Sequence, residues 1–69
     1  MEHIQLPASE RAVIASKCGV ADAYLYQIFT RRKTASAALC VAIERATAGA
    51  VARKRLRPDD WHLIWPELD

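Results

Sequence analysis

Five side chains between Asp22 and Thr30 carry chemistry suited to the edges of base pairs. If this stretch is helical, Leu25 and Ile28 mark its core side, flanked by Tyr24 and Phe29. At 100° per residue, Ala23, Tyr26, Gln27 and Thr30 then share the opposite side, with Asp22 at its edge. The Gln27 amide can pair with adenine N6 and N7, and Tyr26 can donate to a base or a phosphate. Ala23 can pack on a thymine methyl, and Asp22 can accept from cytosine N4. An ordinary exposed helical face carries the same residue types. Asp22, which phosphates repel, also has a plainer use at the helix N-terminus, where Ala21 offers no capping oxygen.

Directly after this set come Arg31, Arg32 and Lys33, placed to neutralise phosphates that position a protein on a duplex without reading its sequence. A solvated basic loop is the competing reading. Arg53, Lys54 and Arg55 form a second, weaker phosphate candidate. The net charge is only +2, but it is divided unevenly. Residues 1–57 hold ten Lys and Arg against four acids, whereas residues 58–69 hold four acids and no Lys or Arg. A positive body with a negative end suits a protein that meets phosphate on one side only.

Other chemistries find little support. Cys18 and Cys40 lie in no metal-ligand spacing, and His3 and His62 stand near opposite ends, so neither a metal nor another cofactor is expected. Both cysteines fall among apolar residues and read as small buried thiols. No Ser/His/Asp or Cys/His set can be assembled, so an enzyme is not expected. There is no long apolar run and no charged-then-apolar leader after Met1, and the expected location is the cytoplasm.

The elements that must position these residues are helical. Gly is scarce, Ala is abundant, and no alternating stretch exceeds His3-Ile4-Gln5-Leu6, which is expected to extend or fray. The chain is read as one all-α domain over residues 1–69, with a helix-turn-helix at about 8–30. Pro7 can open a first helix at about 8–18, on which Ile14, Ala15 and Cys18 share a face. Ala15 allows a close crossing, Gly19 accepts a positive φ at the corner, and a second helix runs from about 22 to 30. Ser36 is a fitting N-cap for a third helix at about 37–48. Its Leu39, Ala42, Ile43 and Ala46 form a core stripe, and Gly49 ends it.

Pro58 is expected to start a last short helix that Pro66 stops. Trp61, Ile64, Trp65 and Leu68 fall at i, i+3, i+4 and i+7, so residues 58–69 read either as a lid on the core or as a docking stripe for a second subunit or another protein. A chain of 69 residues buries a limited core, which favours self-association.

With these residues in place, the chain resembles the Cro/YdaS-type prophage regulators, a branch of the Cro and phage-repressor superfamily. The resemblance runs from about Ala8 to Leu68. It rests on the Cys18-Gly19-Val20 corner, the Tyr24-Leu25-Tyr26-Gln27-Ile28 helix, the run LCVAIERAT from Leu39 to Thr47 and the segment LRPDDWHLIWPEL from Leu56 to Leu68. It implies a repressor-like helical domain that binds operator DNA, often as a dimer on inverted repeats, in a lysogeny or toxin–antitoxin circuit. The chain departs from the pattern in a shortened N-terminus, in Ala21 where a Ser or Thr cap is usual, and in Thr47-Ala48-Gly49 where Thr-Gly-Gly is common. The expected function is sequence-specific DNA binding by a transcription regulator. The alternative is an antitoxin-like or anti-repressor-like module that docks a partner through its Trp stripe.

Overall fold

A computed structural model describes residues 3–68; the first two residues of the N-terminal stretch discussed above, and the last residue of the C-terminal segment, lie outside it. Its elements are α1 (Ala8–Cys18), α2 (Asp22–Phe29), α3 (Ala37–Ala46), α4 (Arg53–Leu56), α5 (Trp61–Ile64) and a closing 3-10 turn (Pro66–Leu68). Among the described residues there is no strand, and the fold is all-α.

The first three helices end in one recurring device. At the end of α1, Gly19 takes a left-handed φ of 71°, Val20 N–H reaches back to Ala15 O and Gly19 N–H to Ser16 O. This double closure satisfies carbonyls that a helix end leaves open. After α2 the same pair recurs, from Arg32 N–H to Gln27 O and from Arg31 N–H to Ile28 O, with Arg31 at φ 67°. After α3 it recurs again, from Gly49 N–H to Glu44 O and from Ala48 N–H to Arg45 O, with Ala48 at φ 52°. Gly19 meets this backbone without a Cβ penalty, whereas Arg31 and Ala48 each hold a conformation costing about 1–2 kcal/mol.

The helix starts differ more. Pro7 caps α1 with its carbonyl, which accepts from Arg11 N–H, and Ser36 caps α3 with a side-chain oxygen that accepts from Leu39 N–H. Ala21 precedes α2 with no side-chain cap.

The core gathers Ile14 and Ala15 of α1, Leu25, Ile28 and Phe29 of α2, Cys40 and Ile43 of α3, and Val51 and Leu56 around α4. No polar or charged residue is buried among the described residues. Cys40 is fully buried and Cys18 half-buried; neither forms a disulfide, and burial pushes both thiols up.

Two expectations require correction, at the ends of the third and the last helix, one open reading is decided, and one element was not expected. Of the two readings of the stretch before Pro7, the extended one holds for the described residues: Ile4 is buried and donates its N–H to Phe29 O at 2.9 Å. The third helix ends at Ala46 and not at 48, because Ala48 itself makes the left-handed turn. The segment carrying Arg53-Lys54-Arg55 is a short helix, anchored by the buried Val51 and Leu56 at its ends. The last helix begins at Trp61, and Pro66 opens a 3-10 turn, so Leu68 lies outside the helical register of Trp61, Ile64 and Trp65.

Candidate nucleic-acid interface

The tight turn at Gly19 lays α2 across α1, with Leu25, Ile28 and Phe29 in the core. What remains on the outer side of α2 is Ala23 and Tyr26, both exposed, with Gln27 and Thr30 half-buried beside them. Tyr26 presents 45% of its surface to solvent. Thr30 has already committed its hydroxyl proton to Tyr26 O at 2.9 Å, so toward a ligand it can only accept.

Asp22 is exposed but not idle. Its two carboxylate oxygens take Arg11 Nε at 2.7 Å and Arg11 Nη2 at 3.2 Å, a fork-to-fork pairing that ties α1 to the first turn of α2. The hydrogen bond from Arg11 holds the Asp22 carboxyl below the usual aspartate range and raises the guanidinium in return. The same guanidinium lies 5.0 Å from the centre of the Tyr26 ring. Arg11 therefore belongs to the outer face of α2 although it stands on α1. The sequence held one signal for it: a cation eight residues before Gly19 and an acid three residues after it.

Arg31, Arg32 and Lys33 follow the end of α2, with Arg32 and Lys33 exposed and Arg31 half-buried. Lys33 Nζ sits 5.8 Å from the Tyr24 ring centre. Arg31 and Lys33 line a polar cleft with Arg57, Asp59 and Asp60.

The second basic cluster is engaged with the protein itself, although Lys54 and Arg55 are exposed. Arg53 Nε is buried 2.9 Å from Glu44 Oε1 without hydrogen-bond alignment, so that contact is one of charge. Its guanidinium also lies 5.3 Å from the Trp65 ring centre, and Lys54 Nζ lies 4.3 Å from that of Trp61. Arg55 donates to Ala50 O at 3.2 Å. These cations lie near the protein's own carbonyls, carboxylates and rings, as Lys33 does near Tyr24, while Arg32 and Lys33 follow the end of α2 and are exposed.

Trp61, Ile64, Trp65 and Leu68 are all half-buried, and Trp65 packs against the core. The tail is fastened by Arg57, which donates to Ala35 O at 2.6 Å and forks onto Asp60 at 2.7 and 3.0 Å. That fork is the role of the Asp60 side chain and lowers its carboxyl below the usual range, while the Asp60 carbonyl accepts from Leu63 and Ile64 N–H at the start of α5. The apolar residue that α5 leaves bare is Leu63, 76% exposed and outside the expected stripe. A separate open groove of about 390 Å³ runs between α1 and the end of α3, lined by Leu6, Val13, Ala46 and Ala50 among others.

Among the described residues no group of His, Cys, Asp and Glu is placed to hold a metal ion, and no helix is long and apolar enough to cross a membrane. Residues 9–64 match a family model described as bacterial toxin YdaS. No curated protein matches the chain.

Proposed function

The chain belongs to the family described as bacterial toxin YdaS, and from that premise we propose that it is a sequence-specific DNA-binding transcription regulator of the Cro/repressor type, prophage-derived and cytoplasmic. The observation that carries this reading is α2. It is locked across α1 by the Gly19 turn, bares Ala23 and Tyr26 with Gln27 beside them, and runs directly into Arg31, Arg32 and Lys33. In a helix-turn-helix that second helix enters the major groove, its outer residues meet base edges, and cations at its end meet phosphates.

One such helix makes few contacts. The protein is therefore proposed to act as a homodimer on an inverted repeat, with half-sites roughly 34–36 Å apart. The family's description speaks of a toxin, which names an outcome in a cell. Occupying promoter DNA is a route to that outcome that needs no catalytic site.

A second reading, a module that docks an antitoxin-like or anti-repressor-like partner, draws on the apolar groove beside Val13 and on the bare Leu63, since the two Trp rings face α4. Gel shift and footprinting on DNA upstream of the gene separate the two. Operator binding gives paired protected half-sites. Gln27→Ala then costs about 1–3 kcal/mol on that operator and much less on random DNA, because only a base-edge contact is lost. No shift on any fragment at low salt overturns the DNA reading.

A further inference from the structure

The short segment before α1 builds a second site beside the outer face of α2. In an extended chain, successive side chains point to opposite sides. Ile4 is buried to 5% exposure and its N–H is held by Phe29 O at 2.9 Å, so both of its neighbours, His3 and Gln5, are exposed. Between this segment and the end of α2 lies a cleft of about 220 Å³. Among the described residues its polar lining is His3, Gln5, Arg11, Tyr26 and Thr30, with no acidic residue. An imidazole, a primary amide, a guanidinium and a phenol all bring N–H or O–H groups, whereas the Thr30 proton is already used on Tyr26 O.

Resting on the DNA reading above, we propose that this cleft binds a backbone phosphate of the duplex that α2 enters, with His3 and Gln5 as ligands beside Arg11 and Tyr26. Arg11 spends Nε and one Nη2 proton on Asp22 and keeps its other N–H groups, and with the imidazole, amide and phenol donors beside it these can surround a single oxyanion. Tyr26 lies on both the outer face of α2 and the cleft wall, so a phosphate held here sits one side chain away from the groove contacts. The fastening at Ile4 sets the position of both ligands before binding, which limits the ordering cost that a loose arm would incur.

The test measures anisotropy of a short labelled duplex of arbitrary sequence with the full chain and with its His3→Ala/Gln5→Ala variant, each checked by circular dichroism. Both positions are exposed, so the fold should persist. The variant should bind about tenfold more weakly or worse on every sequence, and ethylation interference should lose phosphates that the unaltered chain requires. If the unaltered chain binds no duplex, the DNA reading falls and this site falls with it. If it binds and the variant binds equally well, the site alone is wrong. If inorganic phosphate shifts the His3 and Gln5 resonances while the duplex leaves them unmoved, the cleft serves a small anion and the DNA assignment is overturned.

Discussion

Arg11 and Asp22, eleven residues apart, are joined across the Gly19 turn by hydrogen bonds of 2.7 and 3.2 Å, directly beside the exposed Tyr26 ring. The pair cancels a negative charge where a DNA phosphate is proposed to pass, and it holds α2 in its crossing over α1. Asp22→Asn removes the carboxylate and leaves the Arg11 charge uncompensated. Duplex affinity should rise at low salt, and the log–log salt slope should steepen by up to about 0.9, because Arg11 then meets the phosphate proposed beside His3 and Gln5 with its full charge. A weaker or unchanged affinity would show that the pair lies away from the DNA.

Asp22 and Asp60 both sit below their usual range, chiefly because of their hydrogen bonds to Arg11 and Arg57. A carboxyl lowered in the folded state binds its proton less readily there than in the unfolded chain. Its stabilising effect is therefore complete above the ordinary aspartate range and disappears as pH falls through the lowered folded value. The urea midpoint should hold near neutral pH and decline toward about pH 3. In the Asp22→Asn/Asp60→Asn variant that decline should be shallower, and an identical acid limb would remove both pairs from the account.

Arg31 combines a charge expected to meet phosphate with a φ of 67°, whose penalty belongs to the Cβ. Arg31→Ala removes the charge and the contacts of the half-buried side chain but keeps the Cβ, whereas Arg31→Gly removes the Cβ as well. Duplex affinity should fall equally in both, on specific and random DNA alike, and the Gly variant should be the more stable of the two because the left-handed strain is relieved. Thermal melts and anisotropy together decide this, and a Gly variant that binds as tightly as the unaltered chain takes Arg31 out of the interface.

Ala48 holds the same kind of corner at φ 52° without carrying any charge. Ala48→Gly should stabilise the domain by about 1 kcal/mol, net of the greater freedom glycine has in the unfolded chain. Chemical denaturation measures this directly. A loss of stability would mean that the strain is already relieved by contacts of the Ala48 methyl.

Much of the fold was readable from local patterns, because Gly19 and the spacing of Ile14, Ala15, Leu25 and Ile28 each have a local cause. The Ser36 cap was legible for the same reason. What escaped depends on chain segments meeting in space. Helix α4 is four residues long and mostly charged, too short for a periodic signal, and it forms because Val51 and Leu56 are pulled into the core. Ile4 is held by Phe29 O, a partner that no local pattern around Ile4 reveals. The end of α3 was misplaced because Gly49 looked like the left-handed corner, whereas Ala48 takes that position and Gly49 follows it. On the outer side of α2, the exposure of Ala23 and Tyr26 follows from helical periodicity. Arg11 was missed because it reaches Asp22 only once the two helices cross.

The tail offers the sharpest choice between two physical roles. Arg57 joins it to the loop before α3 through Ala35 O, Trp65 packs against the core, and the Trp61 and Trp65 rings lie against Lys54 and Arg53. These contacts are internal and describe a lid. A dimer face built on Trp61, Ile64, Trp65 and Leu68 would have to use surface that the half-buried rings have partly given up, leaving Leu63 as the main apolar projection of α5. A chain ending at Arg57 should therefore lose helicity and melt at lower temperature, since Leu56 and the core beside Trp65 become accessible to water. Leu63→Lys in the full chain should leave the fold intact. Circular dichroism and light scattering read both variants. Retained helicity with halved mass in the truncated chain would make the tail the dimer contact. Halved mass in Leu63→Lys alone would place that contact on the outer side of α5. A truncated chain that stays folded, keeps its mass and binds operator would show that the tail is neither lid nor interface.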